Sequence, residues 1–342
     1  RFFSSLTFVG SAGLGNLLAQ NRINAAGIHS AGGERGGNIT LTSESNTIRV
    51  DEALESISLN GDAGAVTVTA AGAVATGDIL SHGLQQGGHV TIQSGDRIDI
   101  NTISSFSDQD TARRVTLSAA QSVSLGGDDM TPAIRSEGQQ KGGSVTISGT
   151  DITVSGALDS FSTDGIAGDV SLLAEGEIVL AQDIRTEGGQ IGGDIRLETQ
   201  TAGLDTRAIA LESRSSQGNA GDVTLEAPGS ITTGAIDSEG NNRGGDITIS
   251  SDNGAIIATD QLTSLSDNDK AGSVSLTAHD AIVTTHIFSQ GRERGGDITL
   301  TSETGGIETN GVLASFSETG RAGAVDLTAA QSIVLTGNER TV

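Results

Sequence analysis

The residues of this sequence that are best suited to chemistry are the carboxylates of its turns. Two turns concentrate them, Gly126-Gly127-Asp128-Asp129 and Asp267-Asn268-Asp269. Carboxylate and amide oxygens are the hard ligands that Ca²⁺ takes from proteins. The Gly-Gly-x-Gly-x-Asp nonapeptide of calcium-loaded β-rolls does not occur in the sequence, however. Solvated turn carboxylates are therefore favoured, with a surface Ca²⁺ site as the alternative, and no cofactor or metal-binding residue is assigned.

An enzyme would need carboxylates, or a Lys or Arg base, that converge on one strand face, usually in a groove built by long loops. The outward strand positions are instead mostly Thr or Ser, with Arg196 and Asp326 as isolated exceptions, and the loops are short. The sequence contains no Trp or Tyr to stack on sugar rings. We therefore expect no enzymatic activity and assign no catalytic residue.

The histidines show no spacing typical of a metal site. They are His29, His82, His89, His279 and His286. They share no position of a common pattern and form no i, i+4 pair, which a zinc site on one element would favour. Turn positions explain them better than zinc.

A Thr-x-Thr pattern recurs where outward strand positions are expected. The pairs are Thr40/Thr42, Thr67/Thr69, Thr116/Ser118, Thr146/Ser148, Thr248/Ser250, Ser275/Thr277 and Thr299/Thr301. A flat array of this kind resembles an ice-binding face, but Thr is also a favoured exposed strand residue. Charges at Arg196/Glu198, Glu226 and Asp326 interrupt the array. We favour ordinary exposed strand residues and keep ice binding as a minor alternative.

The elements that position these residues are repeats, because an Ile or Leu followed two residues later by Ser or Thr returns about every 25 residues. The pairs are Ile28/Ser30, Leu54/Ser56, Ile79/Ser81, Ile103/Ser105, Ile134/Ser136, Leu158/Ser160, Ile184/Thr186, Leu211/Ser213, Ile236/Ser238, Leu262/Ser264, Ile287/Ser289 and Leu313/Ser315. Phe3/Ser5 fits as a degenerate first member, which gives thirteen. Almost no residue lies outside the repeat, so this period decides the architecture.

Two further strand signals occur in each repeat. After a Gly-Gly or Ala-Gly pair, apolar residues alternate with Thr, as in Ile39-Thr40-Leu41, and a third apolar pair follows, as in Ile98/Ile100. Three short strands per repeat without hairpin signals predict an all-β fold, a right-handed parallel β-helix (solenoid) of about thirteen three-stranded coils. Coils about 4.8 Å apart would form a rod of roughly 60 Å.

Two columns of small residues are expected at the corners of each coil. The inward Ser or Thr is small enough for a corner, where its hydroxyl could bond to neighbouring backbone or to the next hydroxyl. The Gly pairs before the Thr-containing strand, such as Gly244-Gly245, are expected to supply positive φ at a tight turn.

Odd and even coils differ, which predicts a two-coil repeat of about 52 residues. Odd coils read like Ser238-Glu239-Gly240 and even coils like Ser315-Phe316-Ser317, with repeat starts near 28, 79, 134, 184, 236 and 287 in a single domain over 1–342. The position after the Ser or Thr includes Glu, which cannot sit unpaired in an apolar core, so this column faces solvent. Phe106, Phe161 and Phe316 are then exposed.

Composition bounds the class of protein and its partners. The 342 residues include 49 Gly, 2 Pro and no Cys, which excludes collagen, a disulfide framework and thiolate metal sites. No apolar run reaches the roughly 18 residues of a membrane span. The net charge of −24 is spread along the chain and would repel nucleic acid and anionic lipid.

Two places depart from the regular pattern. The coil from Ile103 to Ile134 is longer, because Gly126 to Pro132 is inserted, and Arg113-Arg114 replaces the usual Gly. Tolerated decoration is favoured over a binding loop. Gly10 and Val342 place both ends at the same phase of the repeat without a capping segment. We expect a segment of a longer chain or, as the alternative, subunits that stack end to end.

The alternating signatures Gly244-Gly245-Asp246-Ile247-Thr248-Ile249 and Ala-Gly-x-Val-x-Leu-x-Ala resemble the repeats of filamentous-haemagglutinin-type exoproteins. The two-coil variety looks most like the large cyanobacterial members, and the resemblance covers essentially the whole chain. It implies export across the outer membrane by two-partner secretion and a role in surface fibres or adhesins. The family's N-terminal secretion domain, with its Asn-Pro motifs, is missing from these residues, so the route rests on analogy.

From these features we expect a structural extracellular protein, a rigid acidic β-helical rod in a cell-surface filament or adhesin. The expected partners are other copies of the chain, through end-to-end or lateral contacts, and cell-surface glycans or neighbouring surface proteins. No contact with nucleic acid and no membrane insertion are expected from the charge and the hydropathy. The alternative is a carbohydrate-binding or carbohydrate-active β-helix module.

Overall fold

The computed structural model describes residues 3–6 and 11–337, and these form only β-strands and their connections. The fold is a parallel β-solenoid of about 13 coils of about 25 residues, which confirms the predicted fold class. The chain divides into two compact units, Arg1–Val170 and Ser171–Val342. The prediction of a single continuous domain over 1–342 stays a prediction. Gly10 and Val342, on which the prediction about the two ends of the repeat depends, lie outside the described residues.

Three strands follow one another in each coil. The first strands form one sheet and the second strands another, which we call the first and second sheets; the third strands form one sheet up to Leu180 and another from Leu204, which together we call the third sheet. In the first unit the strands are β1 (Phe3–Leu6), β2 (Gly15–Ala19), β3 (Ile23–Ala25), β4 (Ile28–Gly32), β5 (Ile39–Ser43), β6 (Ile48–Val50), β7 (Leu54–Ser58), β8 (Val66–Ala70), β9 (Val74–Thr76), β10 (Ile79–Gly83), β11 (Val90–Ser94), β12 (Ile98–Ile100), β13 (Ile103–Ser107), β14 (Val115–Ala119), β15 (Ser122–Leu125), β16 (Ile134–Gly138), β17 (Val145–Gly149), β18 (Asp151–Val154) and β19 (Leu158–Ser162). The division between the units falls inside β20 (Val170–Ala174).

The second unit repeats the same order of strands. They are β21 (Ile178–Leu180), β22 (Ile184–Gly188), β23 (Ile195–Thr199), β24 (Leu204–Thr206), β25 (Leu211–Ser215), β26 (Val223–Ala227), β27 (Ile231–Thr233), β28 (Ile236–Gly240), β29 (Ile247–Ser251), β30 (Ile256–Ala258), β31 (Leu262–Ser266), β32 (Val274–Ala278), β33 (Ile282–Thr284), β34 (Ile287–Gly291), β35 (Ile298–Ser302), β36 (Ile307–Thr309), β37 (Leu313–Ser317), β38 (Val325–Ala329) and β39 (Ile333–Leu335).

The register of the first sheet confirms the columns predicted from the sequence. Ile28 lies opposite Leu54 and Ser30 opposite Ser56, and the same alignment holds from coil to coil within each unit. The backbone of β1 pairs with β4 so that Phe3 faces Ile28, which confirms Phe3/Ser5 as the first member. All of these pairs are parallel, as expected for strands that recur once per coil.

Branched aliphatic side chains fill the interior of each coil. Ile39, Val66 and Val90 lie opposite one another in the second sheet and are 0% exposed. Residues of the third sheet, such as Ile98, are equally buried. Parallel in-register stacking therefore places each core side chain on its equivalent in the next coil, which removes nearly all of its apolar surface from water.

The glycine pairs serve a different purpose from the one expected. Among the described residues only Gly127 has a φ in the left-handed region, at 85°, so the pairs do not supply positive φ. Close stacking is the reason instead. A Cβ at Gly88 would lie 2.0 Å from the carbonyl oxygen of Gly64 in the preceding coil, and one at Gly245 would lie 2.1 Å from that of Gly221. Glycine is required because two backbones touch there.

Candidate functional surfaces

A ladder of serine hydroxyls joins successive coils at the corner between the first and second sheets. In the coil that contains Ser238, the hydroxyl accepts a hydrogen bond from the N–H of Gly245 at 2.8 Å and donates one to the carbonyl of Gly221 at 2.9 Å. Gly221 belongs to the preceding coil, so one buried hydroxyl links two coils. The prediction that the corner hydroxyl bonds to backbone is confirmed. We call this arrangement the hydroxyl–glycine ladder.

The hydroxyl–glycine ladder is tighter in the second unit. Its bonds at Ser213, Ser238, Ser264, Ser289 and Ser315 measure 2.7–2.9 Å. In the first unit the bonds at Ser30, Ser56, Ser81, Ser105, Ser136 and Ser160 measure 2.7–3.4 Å. Thr186 is an exception, since its hydroxyl donates to Gly193 of its own coil at 2.6 Å.

A second ladder explains the Asp in the Gly-Gly-Asp signature. The carboxylate of Asp194 accepts a hydrogen bond from the N–H of Asp222 at 2.8 Å, and Asp222 accepts one from Asp246 at 2.7 Å. Asn38 does the same for Ala65 in the first unit. Each side chain therefore satisfies a backbone donor of the next coil, a role that the sequence analysis missed. The regular distance from the glycine pair was the available signal.

Three of the predicted exposed phenylalanines are half-buried on the outer face of the first sheet. The ring of His82 lies edge-on to Phe106 at 5.1 Å, and the guanidinium of Arg135 lies 5.9 Å from the Phe106 centroid. Phe161 and Phe316 are covered to a similar degree. The column faces solvent as predicted, but its aromatic surface is partly occupied by neighbours one coil away.

The same outer face carries a charged network in the second unit. The guanidinium nitrogens of Arg214 lie 3.4 Å from a carboxylate oxygen of Glu212, 3.9 Å from one of Asp237 and 3.8 Å from one of Glu239. Arg185 lies 3.3 Å from Glu212. Partial burial raises the pKa of the Asp237 carboxyl, Arg214 opposes that shift, and the Glu212 and Glu239 charges add to it. Carboxylates outnumber the guanidiniums in this network, which is therefore sensitive to pH.

The Thr-x-Thr residues align as predicted on the outer face of the second sheet. Thr40, Thr67 and Thr91 lie opposite one another in successive coils, followed by Thr116 and Thr146. In the second unit Arg196 stands in this column and pairs with two carboxylates of the adjacent column, Glu198 at 2.9 Å and Glu226 at 2.5 Å. One column of the array, from Thr40 to Thr146, is thus continuous over five coils of the first unit, whereas Gln93 interrupts the second column between Thr69 and Ser118.

The candidate calcium turn at Asp128 is held together by its own hydrogen bonds, whereas Asn268 of the second candidate turn donates a hydrogen bond to the side-chain oxygen of Asn241 in the preceding coil at 2.5 Å. The Asp128 carboxylate accepts bonds from the backbone N–H groups of Met130 and Thr131 at 2.9 and 2.8 Å. These bonds lower the pKa of Asp128. Within 3–6 and 11–337 no group of three or more His, Asp or Glu residues is arranged to hold a metal ion. The inserted loop projects Met130, which is 92% exposed.

Three histidines pair with a carboxylate one coil further along the chain. The contacts are His29 to Glu55 at 2.6 Å, His82 to Asp108 at 3.1 Å and His279 to Glu303 at 3.2 Å. His286 accepts a hydrogen bond from the N–H of Val312 at 3.0 Å. His29 and His82 lie within β4 and β10, so the interpretation that turn positions account for the histidines is wrong for these two, whereas His279 and His286 lie between strands.

A column of cations precedes the glycine pair in the second unit. Isolated parallel β-bridges of the backbone join its members in successive coils, in the order Arg243, Lys270, Arg294 and Arg321. Like charges directly opposite in a sheet destabilise it. Arg243 lies 3.9 Å from Asp246, a long contact. Arg35 occupies the same position of the repeat in the first unit.

A wide groove opens on the third sheet of the second unit. Two extra residues between β24 and β25 place Arg207 and Ala208 outside the regular coil, and β21 and β24 belong to different sheets. The groove has a volume of about 600 Å³ and is lined by Val179, Leu204 and the ion pair of Asp205 with Arg207. It is a local consequence of the insertion.

No protein-family model, curated protein or solved structure matches the chain. Over the described part of the chain, no helix is long and apolar enough to cross a membrane.

Proposed function

We propose that the chain is a structural part of an extracellular surface filament or adhesin. The observation that carries the proposal is the hydroxyl–glycine ladder, which repeats coil after coil beside three parallel backbone ladders. Nearly every recurring feature of the repeat joins one coil to the next.

The function would be mechanical and would arise from the direction of these bonds. Parallel ladder bonds and hydroxyl bridges run between coils, so a force that separates coils loads many hydrogen bonds together. The buried Ser and Gly partners at 2.8–2.9 Å, as at Ser238, exclude water from that bond set. Aliphatic columns such as Ile39 and Val66 add apolar contact across the same interface.

The exterior fits the same role. A net charge of −24 spread over the repeats resists lateral aggregation of strand-rich chains. The half-buried Phe106, Phe161 and Phe316 interrupt the charged surface and offer sites for specific side contacts between chains. Other copies of the chain, surface glycans and neighbouring surface proteins are its proposed partners, and export across the outer membrane is its proposed route.

Electron cryomicroscopy of native surface material, together with localisation of the chain by antibody, tests this function. We expect the antibody to decorate filaments whose density shows stacked coils about 4.8 Å apart. Antibody signal inside the cell, or surface material in which the chain forms isolated particles and no filaments, would contradict the proposal and favour the carbohydrate-binding alternative. A Phe106, Phe161 and Phe316→Ser triple variant separates lateral contact from filament formation, because it should loosen bundles while leaving single filaments.

A further inference from the structure

A polar groove lies at the corner between the first and second sheets of the first unit. It is open, has a volume of about 430 Å³, and spans coils that contain Arg35, Asp62, Gln86 and Arg113. This volume is within the range of about 300–1,000 Å³ that is typical of small-ligand sites. The groove runs beside the hydroxyl–glycine ladder of the first unit, since the ladder glycines Gly37, Gly64 and Gly88 line it.

Glycine backbone forms the floor of the groove. Gly37, Gly64 and Gly88 line it, and each of them lacks a side chain because the preceding coil touches its backbone. A Cβ at Gly37 or Gly88 would lie 2.0 Å from a carbonyl oxygen. Close coil stacking therefore leaves a channel without side chains, and backbone of this kind permits close approach of a flat ligand.

The walls of the groove carry two arginines and one carboxylate, Asp62, although the protein as a whole carries a net charge of −24. Arg35 is exposed on one side, at 4.0 Å from Asp62, and Arg113 is half-buried on the other. His89 also lines the groove, where partial desolvation and the charges of Arg113 and Arg114 lower its pKa.

Arg113 breaks the rule that the repeat follows elsewhere in this column. It stands where Gly88 and Gly143 stand in the neighbouring coils, and the carbonyl of Arg113 is the atom that a Cβ at Gly143 would meet at 2.1 Å. The hydroxyl–glycine ladder is loose here, since the N–H of Arg113 donates to Ser105 at 3.2 Å and Ser136 donates to its carbonyl at 3.4 Å. Local rules are most often broken at functional sites.

The Arg113 side chain is held at the groove rather than in bulk solvent. Its guanidinium donates a hydrogen bond to the side-chain oxygen of Gln86, which belongs to the preceding coil. That bond uses one of five N–H donors and leaves others for a ligand. A guanidinium fixed in this way matches the planar fork of a carboxylate.

We propose that this groove binds an acidic sugar, with Arg35 and Arg113 as contacts for its carboxylate and the glycine floor as the support for its ring. A hexuronate combines the charge that the two guanidiniums attract with a hydroxyl-rich ring to which Gln86 and the exposed backbone can form hydrogen bonds. The proposal needs only the folded chain and does not depend on filament assembly.

Titration calorimetry with trigalacturonate tests the proposal, with neutral galactotriose and triglutamate as matched probes. Trigalacturonate is expected to bind at least about tenfold more tightly than either, because only it presents both carboxylate and sugar. Absence of binding at millimolar concentration, equal binding of triglutamate, or equal binding of galactotriose would each overturn the assignment.

Variants locate the site. Arg113→Gly restores the glycine of the column and is expected to weaken trigalacturonate binding at least about tenfold while the protein stays folded. Arg35→Gln, at an exposed position, supplies the same test if the first variant fails to fold. Arg49→Gln removes an equal charge from the third sheet, where Arg49 bonds Asp51 at 2.6 Å, and should leave binding unchanged. Equal weakening by all three variants would contradict a specific groove.

Discussion

Ser105 of the first unit and Ser238 of the second occupy the same position of the repeat, yet their hydroxyl bonds differ in length. Ser238 makes bonds of 2.8 and 2.9 Å to two glycines. Ser105 makes bonds of 3.3 Å to the carbonyl of Gly88 and 3.2 Å to the N–H of Arg113. Among the described serines of the ladder, Ser105 alone has both bonds at 3.2 Å or longer. The partner that differs is Arg113.

The difference shows what the glycine column does for the fold. Where Gly245 and Gly221 meet, backbone lies against backbone and the serine between them makes two short bonds. Where Arg113 intervenes, a Cβ must be accommodated and the hydroxyl reaches further. Hydrogen bonds lose strength as they lengthen, so we expect the two places to differ in stability.

Filling the tight contact in the second unit should have the largest effect. A Cβ in Gly245→Ala would lie 2.1 Å from the Gly221 oxygen and 2.7 Å from the Ser238 hydroxyl, so the coils must separate. We expect a loss of about 3 kcal/mol in the free energy of unfolding, measured by urea denaturation. Gly15→Ala is the control, because its Cβ would meet nothing closer than 3.8 Å and should change stability by less than about 1 kcal/mol. Equal losses would contradict this account of the glycines.

Removing the serine hydroxyl should have the next largest effect and should differ between the units. Ser238→Ala leaves the buried N–H of Gly245 and the carbonyl of Gly221 without their partner, at an expected cost of about 2–3 kcal/mol. Ser105→Ala breaks longer bonds and should cost about half as much. Urea denaturation of both variants gives the comparison, and a larger loss for Ser105→Ala would show that bond length does not govern the ladder.

The outer face of the first sheet also differs, with an aromatic contact at Phe106 in the first unit and carboxylates around Arg214 in the second. Folding raises the pKa of Asp237, so the folded chain retains this proton to higher pH than the unfolded chain. Stability therefore falls as pH rises from about 4, the ordinary value for Asp. Asp237→Asn should flatten this fall.

Urea denaturation at several pH values measures the effect. The Asp237→Asn variant should be the more stable protein near pH 7, and its advantage should shrink as the pH falls below about 4. Asp252→Asn, at an exposed turn, is the control and should follow the parent at each pH. A variant less stable than the parent near pH 7 would show that the contact with Arg214 outweighs the burial of the carboxylate.

The fold could be predicted from the sequence because the same pattern of apolar and small residues recurs about thirteen times along the chain. In-register stacking makes Ile28, Leu54 and their equivalents one column, so a period alone fixes strand order, core and corner. The role of glycine could not be predicted in the same way. A sequence shows that glycine recurs, but turn geometry and backbone contact both require it, and only the 2.0 Å approach at Gly88 separates them.

Surface features were harder to predict for a related reason. The alternation of Ser-Phe-Ser and Ser-Glu-Gly correctly placed Phe106 on the outer face, but its cover by His82 and Arg135 depends on residues from three coils. Arg113 was visible as a lost glycine, and tolerated decoration was the favoured interpretation. The groove beside it became evident only when coils containing Arg35 and Gln86 were stacked.

The smallest stability change is expected from Arg113→Gly, which gives the coil of Arg113 the glycine that the neighbouring coils have at this position. Arg113→Gly should let Ser105 approach its partners as Ser238 does, which stabilises the ladder. It also removes the bond to Gln86 and adds backbone freedom to the unfolded chain, at about 0.5–1 kcal/mol for glycine. The two effects oppose each other, so the free energy of unfolding, measured by urea denaturation, should stay within about 1 kcal/mol of the parent value. The reverse change, Gly88→Arg, should cost about 3 kcal/mol, as Gly245→Ala does, because its Cβ meets a carbonyl oxygen at 2.0 Å. Similar losses from both changes would mean that the first unit depends on Arg113 for its stability, and would leave the groove without a functional reason for its arginine.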